Sequence, residues 1–161
     1  MKSLSSVDEL VAFRSRILRE KEIRYERPTV VVCAGTGGLA SGSSDIIRVI
    51  KRYILEKSLQ DKIELRITGC QGFCEMDPFI VVEPGRQLYP KLRMEDIPQV
   101  IESALQGSVD ERLIYREPRV ETVHRTQDDI PFFKKQTRTI LGKNSRLDPI
   151  RVFDYIEQGG Y

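Results

Sequence analysis

The sequence Pro-Thr-Val-Val-Val-Cys-Ala-Gly-Thr-Gly-Gly-Leu-Ala-Ser-Gly occupies residues 28–42 of the chain. Its β-branched run predicts a buried strand that ends at Cys33, and the small residues after it predict a tight turn into a helix. A second glycine-rich loop, Thr-Gly-Cys-Gln-Gly-Phe-Cys, occupies residues 68–74 and contains Cys70 and Cys74. We expect the two loops to face each other around one inorganic site, and the rest of the chain to hold them there.

Length and composition narrow the class of protein. The chain has 161 residues, a net charge of +2 and three cysteines. This length suffices for one domain with a core plus an extension. The basic residues are scattered, which argues against nucleic-acid binding, and no apolar run is long enough to insert into a membrane. An odd number of cysteines suits a metal or redox site in a reducing compartment, so we expect a cytoplasmic protein.

Periodicity places both loops between regular elements. Apolar residues at helical spacing predict three helices, over residues 6–25, 44–58 and 95–105. Apolar and alternating runs predict four strands, over residues 29–32, 62–67, 78–83 and 87–91. The turn pair Pro84-Gly85 predicts that the last two strands form a hairpin. This order predicts an α/β fold with a small mixed sheet flanked by helices, which a thioredoxin-like architecture satisfies.

The chain changes character after Gly107. Residues 112–123 are charged and poorly periodic, which predicts a linker or a strap lying on another part of the molecule. Two short helices are predicted after it, over residues 130–141 and 148–158, and Asp148 is the expected N-cap of the second. Short helices bury little surface by themselves. We therefore expect a neighbouring subunit or the first domain to cover their aromatic side chains: Phe132, Phe133, Phe153 and Tyr155.

The cysteine loops have the composition that an iron–sulfur cluster needs. Four thiolates commonly hold a 2Fe-2S cluster, and the backbone amides of glycine-rich loops can donate hydrogen bonds to its sulfur atoms. Cys70 and Cys74, with Gly72 between them, favour such a site, whereas Cys33 alone is more typical of a small buried apolar residue. A dithiol switch and a thioredoxin-type thiol enzyme are alternatives, but the pair lacks Cys-x-x-Cys spacing and Cys33 precedes the predicted helix by several residues.

The first loop also admits a nucleotide-binding interpretation. Residues 35–40 fit the pattern G-x-G-x-x-A after a strand. That pattern also needs an acidic residue at the end of the next strand, and the predicted strand over residues 62–67 is followed by Thr-Gly instead. His124, Asp128 and Asp129 form no catalytic arrangement with each other. We therefore expect no self-contained active site in this chain.

The two cysteine motifs, Cys-x-Gly-Thr-Gly from residue 33 and Gly-Cys-x-Gly-x-Cys from residue 69, resemble the thioredoxin-like 2Fe-2S ferredoxin domain. This domain opens the longer flavoprotein subunits of bacterial NADH-linked oxidoreductases, which are relatives of the NADH-binding subunit of respiratory complex I and are found in multimeric hydrogenases and formate dehydrogenases. The tail resembles the segment that leads those subunits into their flavin domain, in residues 130–136, 147–149 and 155–161. The resemblance implies iron ligation by Cys33, Cys70 and Cys74. It also implies that three glycines face the cluster: Gly35, Gly37 and Gly72.

The chain departs from the family pattern in two ways. The family has a second cysteine in the first loop, where this chain has Gly38, so one of four expected ligands is missing. Thr36, Ser41 or Ser43 could offer an oxygen, although hydroxyl groups are poor substitutes for thiolates on iron. The family's FMN and NAD sites would lie in a domain beyond Tyr161 or in a partner. We therefore expect a fragment, a split gene product or a short subunit that works beside a flavoprotein.

These observations give two functional hypotheses. The first is an electron-transfer subunit of an NADH-linked oxidoreductase complex, with other redox subunits as partners. The second is a docking subunit of the same kind of complex that has lost its cluster, which the glycine at position 38 favours. In both, we expect an N-terminal helix over residues 1–27, a ferredoxin-type domain over residues 28–108, and a linker with two short helices over residues 109–161.

Overall fold

The computed structural model describes residues 4–24 and 27–161. Its sheet has the strand order β2-β1-β3-β4. The strands are β1 (Thr29–Cys33), β2 (Glu64–Thr68), β3 (Ile80–Glu83) and β4 (Gln87–Tyr89). β1 pairs in parallel with β2 and antiparallel with β3, and β3 and β4 form the predicted hairpin. The sheet with its flanking helices confirms the predicted α/β, thioredoxin-like fold class.

Six α-helices accompany the sheet in the described part of the chain. They are α1 (Val7–Arg24), α2 (Thr36–Ala40), α3 (Ser43–Glu56), α4 (Ile97–Leu105), α5 (Pro131–Lys134) and α6 (Val152–Glu157). The predictions of α1, α3 and α4 are confirmed to within a few residues, although the end predicted for α1, Tyr25, lies outside the described residues. None of the described helices is long and apolar enough to cross a bilayer.

The central strand β1 separates two apolar cores. Every residue of β1 is buried, as expected for a strand with neighbours on both edges and layers on both faces. Val30 and Val32 face the first core, which α3 and α4 cover with residues such as Ile50 and Ile101. Val31 and Cys33 face the second core, which is rich in aromatic rings: Phe73, Phe79, Tyr115 and Phe133. Cys33 thus ends its strand on the aromatic side of the sheet.

Burial on β2 and α3 differs in detail from the sequence prediction. The alternation of residues 62–67 predicts Ile63, Leu65 and Ile67 on one face, and Ile63 and Leu65 pack in the first core. The opposite face of β2 is buried as well, at Arg66 and Thr68. Arg66 is buried because its guanidinium donates to the Glu83 carboxylate at 2.8 Å. Leu55, predicted in the apolar stripe of α3, is 67% exposed.

The C-terminal part folds back onto the sheet. Residues 112–123 form a strap along the sheet edge, where the Tyr115 amide donates to the Leu88 carbonyl at 2.9 Å. α5 is shorter than predicted, and Phe133 from it is buried in the aromatic core. α6 begins at Val152 and not beside Asp148, because the Asp148 carboxylate accepts from the Ile150 amide in a turn. α6 packs on α1, where Phe13 and Phe153 lie 5.9 Å apart between ring centroids.

Candidate metal centre

Both cysteine loops begin at the same edge of the sheet. β1 and β2 are parallel, so their carboxyl ends lie side by side, with Cys33 opposite Thr68. The Ala34 amide donates to the Thr68 carbonyl at 2.9 Å and extends this pairing one residue beyond the strands. The loop over residues 69–74 therefore starts beside the loop over residues 34–42. This placement confirms that the two loops face each other.

Two glycines allow the loops to touch. A Cβ atom on Gly35 would lie 2.6 Å from Cys70 Cβ, closer than side chains tolerate. A Cβ atom on Gly37 would lie 3.0 Å from Cys74 Sγ. Gly72 has a φ of +82°, a left-handed conformation that favours glycine. The glycines predicted around the site therefore have steric reasons, and Gly35 and Gly37 bring the first loop into contact with both cysteines of the second.

The second loop holds a close pair of thiols. Cys70 Sγ and Cys74 Sγ lie 3.4 Å apart, and the Gly72 amide donates to Cys70 Sγ at 3.3 Å. The hydrogen bond to Cys70 raises the pKa of the Cys74 thiol to about 11, and burial adds to the rise. Cys70 is partly buried, whereas Cys74 is exposed. One end of the candidate site thus reaches the protein surface.

Cys33 forms the deep end of the same pocket. Its side chain is 1% exposed, and its Sγ lies 3.9 Å from the Asp77 carboxylate. Burial raises the pKa of the Cys33 thiol, and the nearby charges of Asp77 and Cys70 raise it further. The backbone amides of Gly35 and Gln71 face the sulfur and partly oppose that rise. Cys33 therefore contacts the aromatic core on one side and faces the loop over residues 69–74 on the opposite side.

Asp77 is the member of the site that the sequence did not reveal. A short 3₁₀ helix, Cys74–Met76, turns the chain so that Asp77 points back toward the cysteines. The residue is 6% exposed, and its Oδ1 atom has no hydrogen-bond partner within the described structure. Burial raises the pKa of this carboxyl group. The sequence around Asp77 contains no pattern that distinguishes this residue from an ordinary surface acid, so its burial could not be predicted.

The position of the missing fourth cysteine does not open into the pocket. A Cβ atom on Gly38 would lie 2.5 Å from the Cys33 carbonyl oxygen and 2.9 Å from Ser43 Oγ. A cysteine at this position would therefore require α2 to shift. Of the hydroxyl groups considered as substitutes, Thr36 and Ser41 are exposed, while Ser43 is fully buried and its Oγ has no hydrogen-bond partner among the described residues.

The C-terminal segment over residues 127–146 anchors the second cysteine loop. Asn144 donates a side-chain hydrogen bond to the Cys70 carbonyl at 2.8 Å, and Arg138 donates to the Gln71 carbonyl. The Phe132 ring stacks on Phe73, which lies between the loop cysteines, with a centroid distance of 4.4 Å. Sequence analysis missed these contacts, because isolated polar residues in an aperiodic segment carry no signal of what they will touch.

The donor atoms of the site come from three thiols and one carboxyl group. Among residues 4–24 and 27–161, no three side chains of His, Cys, Asp or Glu converge on one metal ion. Cys70 lies beside Cys74 and Cys33 beside Asp77, and Asp77 also faces the Cys74 thiol. A 2Fe-2S cluster needs ligands on two iron atoms, commonly four thiolates in total. The pocket offers three thiols and, in Asp77, one buried carboxyl group.

Comparison with known proteins gives a consistent family. The family model described as thioredoxin-like 2Fe-2S ferredoxin matches residues 2–105. The chain is similar to a 2Fe-2S ferredoxin of Clostridium pasteurianum, with 27% identity over 75 residues that cover 46% of this chain and 74% of the relative. It is also similar to the crystal structure of a thioredoxin-like 2Fe-2S ferredoxin from Aquifex aeolicus. The TM-score is 0.51 and the identity 25%, covering 56% of this chain and 98% of that one.

A further crystal structure of the Aquifex aeolicus ferredoxin has 23% identity and a TM-score of 0.51, and the match covers 61% of this chain and 98% of that one. At this identity the likeness concerns the fold alone. The family match ends at Leu105, with the close of α4. The strap and the segment over residues 127–146, which contacts the cysteine loop, lie beyond the matched region.

Proposed function

Since the chain belongs to the thioredoxin-like 2Fe-2S ferredoxin family, we propose that it is an electron carrier whose cluster is held by Cys33, Cys70 and Cys74. The observation that carries this proposal is the close approach of the two loops, in which Gly35 fits against the backbone of Cys70. This contact joins the loop that follows Cys33 to the loop that contains Cys70 and Cys74, which supports a shared site for the three thiols. A bound 2Fe-2S cluster would accept and return one electron at a time.

The residues around the pocket have separable roles in this proposal. Cys33 would anchor the cluster in the protein interior, where water does not compete for the metal. The amides of Gly72 and Gln71 face sulfur atoms and would offset negative charge there. Cys74 lies at the surface, so its edge of the site is the place where a redox partner would approach. Electron transfer needs no proton donor, which agrees with the expectation of no self-contained active site.

We further propose that the chain works in an NADH-linked oxidoreductase complex beside a flavoprotein. The support is the resemblance of residues 130–136, 147–149 and 155–161 to the segment that precedes a flavin domain. The chain itself would not oxidise NADH, and FMN and NAD would be bound by the partner. The expected behaviour is therefore slow or no reduction of the isolated protein by NADH, and rapid reduction after an NADH-oxidising FMN protein is added.

Anaerobic purification tests the first proposal. The purified protein should contain iron and sulfide and show visible absorption at about 400–600 nm that dithionite bleaches, since these bands arise from thiolate–iron bonds. Cys70→Ser should lose most of this absorption. Ser58→Ala, a change in a turn on the opposite side of β1, is the matched control and should keep it. A colourless wild-type protein without iron, before and after reconstitution with iron and sulfide, would overturn the proposal.

The same experiment examines the second candidate function, a docking subunit without a cluster. The observation that favours it is the glycine at position 38, whose Cβ direction leaves no room for a cysteine. In this case the fold would persist because its first apolar core contains none of the pocket residues. A stably folded protein that is colourless and contains no iron would support the docking function and exclude the electron-carrier function.

A further inference from the structure

The buried Asp77 carboxyl group has one oxygen, Oδ1, without a hydrogen-bond partner in the described structure. The residue is 6% exposed and lies between the two cysteine loops. Leaving a buried acceptor without a partner is unfavourable, and more so for a charged group. Such a group calls for a cation or a donor in its vicinity. The groups that face it are the Cys33 and Cys74 thiols and the Phe79 amide.

Two short distances join the four groups of the pocket, and Asp77 also faces the Cys74 thiol. Cys70 Sγ and Cys74 Sγ are separated by 3.4 Å, and Cys33 Sγ and Asp77 Oδ2 by 3.9 Å. Metal–sulfur bonds of about 2.3 Å at a tetrahedral centre place two bound sulfur atoms about 3.8 Å apart. A sulfur and a carboxylate oxygen bound to one metal lie slightly closer, about 3.5 Å apart. Both pairs therefore have nearly the spacing of two ligands on one tetrahedral metal.

We propose that Asp77 is the fourth protein ligand of the cluster, sharing one iron with Cys33 while Cys70 and Cys74 bind the other. This inference rests on the proposed function and specifies its ligand set. It also explains how the chain can dispense with a cysteine at position 38. A carboxylate carries the negative charge that a thiolate would supply, whereas a serine hydroxyl would first have to lose its proton.

Ser43 is the competing oxygen ligand, and its surroundings favour Asp77. Ser43 Oγ is buried beside the space that a side chain at position 38 would enter, next to the Cys33 carbonyl. Within residues 4–24 and 27–161, no hydrogen bond links Ser43 Oγ to a cysteine sulfur. Asp77, in contrast, faces the Cys33 sulfur and lies close to Cys74.

Four variants of the full chain, purified and reconstituted anaerobically with iron and sulfide, test the assignment. Asp77→Asn keeps the shape of the side chain but removes its charge, and should lose most of the iron. Asp77→Cys should retain iron and gain visible absorption relative to the wild type, because a fourth thiolate–iron bond replaces an oxygen ligand. Ser43→Ala should retain wild-type iron content. Asp148→Asn alters another buried carboxyl group, 8% exposed, outside the pocket, and should also retain it.

Each outcome supports or overturns a specific statement. If the wild type binds iron and Asp77→Asn binds it equally well with an unchanged spectrum, Asp77 is not a ligand, although the electron-carrier function stands. If Ser43→Ala is the variant that loses iron, the ligand is Ser43. If the wild type and Asp77→Cys both bind none, the proposed function fails together with the ligand assignment. Urea unfolding of each metal-free variant separates ligand loss from misfolding, since a ligand is dispensable for the metal-free fold.

Discussion

Replacing Phe133 by alanine tests whether the C-terminal segment is an integral part of the ferredoxin domain. Phe133 is 7% exposed in the aromatic core, and its ring centroid lies 5.2 Å from that of Phe73 in the cysteine loop. The Arg138 guanidinium lies over the Phe133 ring, 5.1 Å from its centroid. If residues 127–146 were only a linker toward another domain, the ring would contribute little to folding.

The structure sets the magnitude of the effect. An aromatic side chain buries about 200 Å², which at about 25 cal/mol per Å² corresponds to about 5 kcal/mol. Alanine retains part of this burial, and measured Phe→Ala changes in cores are about 3–5 kcal/mol. We expect Phe133→Ala to lower the free energy of unfolding by this amount. Because whole domains are stable by only about 5–15 kcal/mol, the variant should fold but unfold at clearly lower urea concentration.

Urea unfolding followed by circular dichroism measures this loss, with two matched variants beside it. Phe132 and Phe153 are each 36% exposed, but Phe132 stacks on Phe73 and Phe153 packs on α1. Phe132→Ala should therefore speed the release of iron to a chelator, whereas Phe153→Ala should leave that rate unchanged. A change below about 1 kcal/mol for Phe133→Ala would approach the range of surface substitutions and would refute the packing of this segment on the domain.

Three further predictions concern the sheet and the pocket. Arg66→Ala should lower the free energy of unfolding, measured in urea, by about 3 kcal/mol, because it leaves the largely buried Glu83 carboxylate without its partner. The double variant Arg66→Met/Glu83→Leu should recover most of this loss. Gly35→Ala puts a Cβ 2.6 Å from Cys70 Cβ, so its iron content should fall while its circular dichroism spectrum persists. The pKa of the Cys74 thiol is about 11 in the folded metal-free protein and about 8.5 in an unfolded chain. Protonation of this thiol therefore stabilises the fold fully below about pH 8.5, and the stabilisation is lost as the pH rises toward 11. The urea midpoint of the wild type should fall over that pH range, and the midpoint of Cys74→Ser should fall less.

The sequence predicted the elements that depend on local periodicity. A β-branched run predicts β1 and an apolar stripe predicts α3. The glycines between them predict that this loop lies close to the second cysteine loop. α2 could not be predicted, because Thr-Gly-Gly-Leu-Ala has low helix propensity and forms one turn only where the neighbouring loop packs against it. The burial of Arg66 on the other face of β2 could not be predicted, since its partner Glu83 lies on a strand that only the folded sheet brings near.

The candidate site was predicted in the same uneven way. Three cysteines in glycine-rich loops identified the pocket, because thiols at such spacing have few other uses. Asp77 could not be identified, since its significance depends on a 3₁₀ turn and on burial, neither of which its neighbours in sequence reveal. The roles of Asn144 and Arg138 were hidden for another reason: they act on a loop about 70 residues earlier in the chain.

Those two side chains determine which way the peptide units of the cysteine loop point. Asn144 binds the Cys70 carbonyl, and in a trans peptide the N–H of Gln71 then points the opposite way, toward the Cys33 sulfur. Arg138 binds the next carbonyl, that of Gln71, and the following N–H donates to Cys70 Sγ at 3.3 Å. Each outward carbonyl contact therefore fixes one inward amide.

Amides aimed at sulfur favour the electron-rich state of an iron–sulfur cluster and thereby raise its reduction potential. Asn144→Ala should therefore lower the potential of the loaded protein, while Asn144→Asp, which cannot donate to the carbonyl, should do the same without shortening the side chain. Ile140→Ala, at a site 86% exposed in the same segment, is the control. A potential that is identical in all three variants and the wild type would show that the loop orients its amides without the C-terminal segment. A lower reduction potential in the Asn144 variants alone would show that residues beyond the family match, which ends at Leu105, tune the cluster.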